Sequence, residues 1–344
     1  MELSPRKKAI IAAIVKAHIE QGEPIGSKAL AETLDNSPSS ATLRNEMSEL
    51  CELGYLEQPH TSAGRIPTAK AYRLYVTELM DKKTLSTESK QIIDDMLESV
   101  SHDPENIGST AAQILYELTG LPTISAASSH HEIVLKRATL LPMGKNSAIV
   151  FIITNDGRAR SRLVRAVSPI TASLLTKFDN IAREKICSIE ISKLDTAYLQ
   201  GLVVSAGLDA LTLAPFISCI FEMAADITKS EIRLNGASNV FSLCQGENEA
   251  RRIIELLQER ETMSKIFSTL SSPIGVIFGD DTSYTELKPT GMIVASYGDE
   301  DEELGRLAVI GPTRMSYEKI LPSIEYLSNR IGTIMTEVLK GLEE

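Results

Sequence analysis

The sequence predicts an α+β chain of several domains: an N-terminal winged helix-turn-helix, then an antiparallel-sheet domain interrupted by a helical block. Three observations carry this. The chain has 344 residues, 43% of them hydrophobic and 24% charged, a size that suggests two or three domains. Its first 80 residues read as helix, short helix, turn, helix, then two short strands joined by the loop "PHTSAGRIPT" at 59–68. Its C-terminal part carries strand-like segments on both sides of a long apolar helical stretch.

Ser4-Pro5 reads as an N-cap followed by proline at the first helical position. Ile10, Ile11, Ile14, Val15 and Ile19 recur at helical spacing, and Gly22 stops the run. After the turn "EPIG", Ser27 is expected to cap a short helix with Leu30 and Leu34 on one face. "DNSP" is a second turn. Ser39 or Ser40 then caps a third helix with Leu43, Met47, Leu50 and Cys51 inward and Gly54 at its end. "YLEQ" reads as a strand and "PHTSAGRIPT" as the wing that turns the chain back. Thr68 starts a fourth helix with Tyr72, Tyr75, Val76 and Leu79 on its apolar side, and Lys70, Arg73 and Thr77 on the other.

A linker helix is expected over 81–104, from Ile93, Met96, Leu97 and Val100, and another helix runs from Asp103-Pro104 to Gly120. Residues 132–167 read as a three-stranded meander whose second turn is Asn155-Asp156-Gly157. Residues 168–231 are mostly helical and apolar. Then come a strand "IRLNG", a charged helix at about 247–269, and the strands "IGVIFG", "GMIVASYG" and "LGRLAVIG". The last helix spaces Ile324, Leu327, Ile331, Ile334 and Val338 by threes and fours. The simplest division is a winged helix at 1–80, a linker at 81–104, one sheet domain from 105–167 with 232–344, and a helical insertion at 168–231.

Charge is segregated. The net charge is −11, yet residues 1–80 hold nine Lys/Arg against ten Asp/Glu, and residues 58–77 hold no acid at all. Overall acidity argues against a broad nucleic-acid surface but leaves room for a local one. The stretch 202–225 is long enough for a membrane but carries Asp209, Pro215 and Glu222, so it is expected to be a buried helix at a subunit contact. Cys51, Cys187, Cys219 and Cys244 form no CxxC motif and are expected to be reduced thiols of a soluble cytoplasmic protein.

Enzyme signatures are missing: no GxSxG, P-loop or HExxH occurs, and no metal or cofactor is expected. The adjacent His130 and His131 cannot share one helix face, and the acidic run at 299–303 reads as a hairpin tip. The third helix offers recognition chemistry instead. With Leu43, Met47 and Leu50 inward, Ser40, Arg44, Asn45 and Ser48 face out. Arg can grip guanine and Asn adenine, each with two hydrogen bonds. Ser39, Ser40 and Thr42 sit at the helix start, where hydroxyls and free N–H groups hold phosphate. Gly64 and Arg65 lie in the wing, and Lys70 and Arg73 one helical turn apart would reach phosphates. Glu46, Glu49 and Glu52 lie toward the other end, where the helix axis leaves the groove. An ordinary amphipathic helix and solvated loop cations are the alternative for each.

"GEPIGSKAL", "SSATLRNEMSELCELGYLEQPHTSAGRIPT", "GENE" and "GRLAVIGPTRMSYEKI" closely resemble the HrcA family of bacterial heat-inducible transcription repressors. The resemblance implies a GAF-like sheet domain with an inserted helical dimerisation domain. It implies a homodimer that binds an inverted-repeat duplex operator called CIRCE, represses chaperone operons, and is kept active by chaperonin. It places Ser40, Thr42, Arg44 and Asn45 in the recognition helix and Gly64 and Arg65 in the wing. Two rivals remain at this level: a winged-helix regulator controlled by a metabolite in the GAF-like domain, and a chaperone-associated protein whose basic patch binds another protein.

Overall fold

The computed structural model describes residues 3–34, 39–60, 63–81, 83–98, 104–127, 133–155, 157–228, 232–244, 246–298 and 303–341. The "DNSP" turn, Asp156, the His130-His131 pair and residues 299–302 of the acidic run lie outside them.

The N-terminal domain follows its local signals. Helix α1 (Pro5–Gln21) starts where the Ser4 hydroxyl accepts from the Lys7 N–H, and ends where Gly22, at φ 75°, donates its N–H to the His18 carbonyl. Helix α2 spans Ser27–Thr33 and α3 Ser40–Glu52. Gly26, not Ser27, caps α2, because Ser27 already has helical backbone and its hydroxyl turns to Ser40 instead. Ser39 caps α3 through the Thr42 N–H. Leu43, Met47 and Leu50 bury against Ile10, Ile11, Ile14 and Leu30, so one apolar stripe fixes which side of α3 faces out. Strands β1 (Leu56–Glu57) and β2 (Ile66–Pro67) form the wing, and Ile25 bridges to Arg65 as a third element. Helix α4 (Ala69–Leu74) does not continue regularly to Leu79; Tyr75–Leu79 is a π-helical turn.

The remaining elements are α5 (Thr87–Glu98), α6 (Pro104–Thr119), β3 (Thr123–Ala127), β4 (Leu135–Pro142), β5 (Ser147–Thr154) and β6 (Ala159–Arg165). Then come α7 (Ala172–Lys185), α8 (Thr196–Ser205), α9 (Ala210–Thr228), β7 (Ile232–Asn235), α10 (Glu247–Gln258) and α11 (Arg260–Phe267). Strands β8 (Ile274–Phe278), β9 (Thr290–Gly298) and β10 (Glu303–Pro312) precede α12 (Tyr317–Gly341). The charged helix expected at 247–269 breaks at Glu259, whose extended backbone ends α10 and begins α11.

The one sheet expected is two. Strands β7-β3-β10-β9-β8 form an antiparallel five-stranded sheet, and the meander β4-β5-β6 forms a sheet of its own. The five-stranded sheet is covered on both faces. Ile293, Ala295, Leu307 and Val309 pack with Ile107, Ile114, Ile324, Leu327 and Ile331 of α6 and α12. Met292, Val294, Ala308 and Ile310 point the other way, onto Ile253, Leu257, Met263 and Ile266 of α10 and α11. Two buried faces explain why β9 and β10 read as nearly unbroken apolar runs. The meander alternates: Ala148, Val150 and Ile152 of β5 are buried, in one core with Phe178, Phe216 and Ile220 of α7 and α9. The interruption of the sheet domain therefore begins near residue 133, earlier than 168, because these strands need the helices that follow them to cover their inner face.

Two further expectations change. Helix α5 is no free linker: Ile93 and Leu97 are buried in the main core, and Asp94 accepts from Tyr326 Oη (2.8 Å) and Arg330 Nε (2.7 Å) on α12. The apolar stretch 202–225 is broken by a 3₁₀ turn and only half buried. Gly207–Ile227 is long and apolar enough to cross a membrane by length and composition alone. In the fold one side packs on the meander, Asp209 pairs with Lys177 at 2.7 Å and Glu222 with Arg162 at 2.6 Å. Val204, Leu208 and Leu211 remain exposed, at 78%, 103% and 83%.

The winged helix and the five-stranded sheet share one core. Tyr72 of α4 lies 6.3 Å from the Phe278 ring and 6.0 Å from Tyr317, and its hydroxyl meets His18 Nδ1 at 2.7 Å. Aromatic pairs of this kind add about 0.5–1.5 kcal/mol each beyond their buried area. The orientation of α3 is thereby tied to the C-terminal body.

Candidate nucleic-acid interface

Helices α2 and α3 and the wing converge on a cleft of about 430 Å³ lined by Ser27, Lys28, Arg44, Met47, Gln58 and Arg65, among others. Arg44 and Asn45 are exposed, and neither side chain has a hydrogen-bond or ionic partner among the described residues. Their position follows from the buried Leu43 and Met47, which turn the intervening positions outward. Ser39 and Thr42 close the helix start between them, with hydroxyls 3.0 Å apart. The Ser40 hydroxyl lies 3.0 Å from that of Ser27, which ties the first turn of α2 to the first turn of α3.

The wing is fixed by backbone. Ile25 and Arg65 exchange two N–H···O bonds of 2.9 Å, and Gln58 Nε2 donates to the Ala63 carbonyl at 3.1 Å. Gly64 has no room for a side chain: a Cβ there would lie 2.5 Å from the Ile25 carbonyl carbon and oxygen. The buried Nε of Arg65 has no hydrogen-bond partner, so this guanidinium is held in the cleft without a protein acceptor at that nitrogen.

Two of the three acids of α3 are answered from α1. Lys7 Nζ lies 2.6 Å from Glu49 and 3.5 Å from Glu46, and Arg6 is 3.9 Å from Glu46. The hydrogen bond that Lys7 donates to the Glu49 carboxylate raises the Lys7 pKa above its ordinary value, the direction expected of a cation held by a carboxylate. Glu46 and Glu49 are thus paired with cations of α1, while Arg44 and Arg65 of the cleft form no ion pair among the described residues.

Two expected residues stand apart from this group. Lys70 donates to the Leu53 carbonyl at 2.9 Å and sits 4.3 Å above the Tyr55 ring. Arg73 pairs with Asp281 and lies 5.3 Å from the Phe278 ring, facing the C-terminal body. Ser48 donates its hydroxyl to the Arg44 carbonyl. Conversely, Lys28 lines the cleft although sequence reasoning passes it over. Its signal is present: it sits in the first turn of the helix that precedes the recognition helix, beside a serine that contacts that helix.

The family model described as "Winged helix-turn-helix transcription repressor, HrcA DNA-binding" matches residues 2–81, the domain that holds the cleft. The model "HrcA protein C terminal domain" matches residues 105–321. The chain is 31% identical over 336 residues to the heat-inducible transcription repressor HrcA of Acetivibrio thermocellus, covering 96% of each chain. It is 33% identical to the protein of the same name from Clostridioides difficile, covering 95% of this chain and 98% of that one. A crystal structure of a protein described as hypothetical superposes with a TM-score of 0.67 over 98% of this chain and 100% of its own, at 21% identity, which speaks to fold alone. Both halves of the chain match models of one family, and full-length relatives exceed 30% identity, so the chain belongs to the HrcA family.

Proposed function

We propose that this protein is a sequence-specific, duplex-DNA-binding repressor of heat-inducible genes. The observation that carries the reading is the exposed, unpartnered Arg44–Asn45 pair on α3 of a winged helix, with Arg44 lining one cleft together with Arg65 of the wing. Arg44 and Asn45 read bases in the major groove. The α3 start, with Ser39, Ser40 and Thr42, takes phosphate, and Gly64 and Arg65 bring the wing onto the neighbouring backbone or minor groove. Lys28 adds a phosphate contact. Lys70 and Arg73 have protein partners and serve the domain's shape.

The operator in this reading is the CIRCE inverted repeat of chaperone operons, bound by a homodimer. Exposed Val204, Leu208 and Leu211, beside the meander, supply the apolar surface that two copies would bury. The five-stranded domain is taken as GAF-like, with residues 133–228 as its inserted dimerisation domain. Chaperonin keeps the protein competent to bind, and the protein works in the cytoplasm.

Selection of bound sequences from a random duplex pool tests the core of this. An inverted repeat should emerge, and affinity should fall steeply as salt rises. Recovery of sequences without two-fold symmetry would refute the dimeric repressor. Operator binding measured after warming, with and without chaperonin, tests the last step; equal and durable binding in both would remove chaperonin from the account.

A further inference from the structure

We propose that the open edge of β8 docks an extended peptide segment of a partner polypeptide, apolar in character and carrying a basic residue. This goes beyond DNA binding and does not depend on it. Strand β8 ends the five-stranded sheet and, among the described residues, pairs only with β9. The Pro273 carbonyl accepts from the Ser296 N–H at 2.8 Å. Antiparallel pairing alternates, so Pro273, Gly275 and Ile277 face β9, while Ile274, Val276 and Phe278 direct their backbone groups outward. The Ile274 carbonyl is taken by the Ser272 hydroxyl and the Phe278 N–H by Asp281. The outward N–H and C=O of Val276 have no partner among the described residues.

A groove of about 720 Å³ runs along this edge, past Ile274, Gly275, Val276 and Ile277. Its far wall combines apolar Val76 and Met80 of the π-helical turn and Leu321 and Pro322 of α12 with the carboxylates of Glu318 and Glu325. A four-residue strand is about 13 Å long, occupies about 4.8 Å in the sheet plane and about 10 Å across it, or roughly 600 Å³. The groove volume therefore accommodates one added strand, and the unpaired Val276 N–H and C=O favour an extended partner over a helix, whose backbone groups are already paired within it. Natural edges are usually blocked by a charge, a proline or a bulge. "IGVIF", residues 274–278, carries none of these within the strand.

Charge selects the partner. Arg73 is committed to Asp281, and Lys83 to Glu318 at 2.6 Å. Glu318 also accepts from Tyr75 Oη at 2.6 Å. Glu325, on the groove wall, is exposed and makes no ion pair among the described residues. The groove's uncompensated charge is negative, so a Lys or Arg on the incoming strand completes it.

The test is panning of a phage-displayed random heptapeptide library on the full chain. Enriched peptides should alternate β-branched or aromatic residues and include Lys or Arg. An enriched peptide, labelled for fluorescence anisotropy, should bind Val276→Pro about tenfold more weakly or worse. That substitution removes the outward N–H without deleting a hydrogen bond of the β9 ladder. Glu325→Lys should weaken basic peptides several-fold and shift selection toward acidic ones. Melting curves establish that each variant is folded; if Val276→Pro is not, Glu325→Lys decides. No such enrichment, or peptides that bind both variants as they bind the parent, would overturn the proposal. Loss of dimer in Val276→Pro would overturn it too, since a second copy would then occupy the edge.

Discussion

Replacing Arg44 by alanine isolates base recognition from folding. Arg44 is exposed and has no side-chain partner among the described residues, so its removal should change stability by no more than about 0.5 kcal/mol. A two-hydrogen-bond contact to a base contributes about 1–3 kcal/mol of binding. A dimer on an inverted repeat makes the contact twice, for about 2–6 kcal/mol in total. At about 1.4 kcal/mol per tenfold, affinity should fall between about 30-fold and about 10⁴-fold. The assay is fluorescence anisotropy at fixed salt, on the selected repeat and on duplexes altered one base pair per half-site. Preference at one position should relax in Arg44→Ala. Arg65→Ala, which removes a backbone-directed cation, should weaken all duplexes alike and reduce the salt slope by about 0.9 for each phosphate no longer neutralised. A drop below about threefold in Arg44→Ala, with an unchanged melting temperature and unchanged base preference, would show that Arg44 does not read DNA.

Three other outcomes are expected. Gly64→Ala puts a methyl against the Ile25 carbonyl, so the wing must shift; stability should fall by about 1–3 kcal/mol in denaturant titration and operator affinity should drop while α3 itself is unaltered. Leu208→Glu with Leu211→Glu places two charges on an exposed apolar surface; sedimentation should show monomers, with monomer stability unchanged. His18 is held below its ordinary value of 6.5, chiefly by burial and then by Arg314. Its unfolded form gains a proton before its folded form does, so its contribution is complete above about pH 6.5 and is lost as pH falls through the depressed folded value. Melting temperature should decline from pH 7.5 to 5.5, and His18→Gln should flatten that decline.

Much of the recognition domain is legible because its cues are local. Ser4-Pro5 and Gly22 bound α1, Ser39 caps α3, and Gly54, at φ 75°, takes the left-handed turn after it. Leu43, Met47 and Leu50 share one stripe, which is enough to expose Arg44 and Asn45. The cations are less legible for a physical reason. The partner of Arg73, Asp281, is 208 residues away, and no spacing rule reaches that far. Glu46 is out of place on a DNA-facing helix taken alone, and is accounted for only by Lys7 and Arg6, which α1 brings beside it. The meander is readable as strands, but alternation tells which face of a strand is buried and not which sheet the strand joins.

By itself the sequence determined most of the N-terminal helices, the ends of α1, the cap of α3, the outward face of α3 and the family of the chain, because caps, turns and apolar period act over a few residues. Only the tertiary structure decided that the meander leaves the main sheet, that Tyr72, Phe278 and Tyr317 lock the winged helix to the body, and that β8 keeps an open edge. Those outcomes depend on which buried surfaces meet across hundreds of residues, and that is set by packing the whole chain at once rather than by any stretch of it.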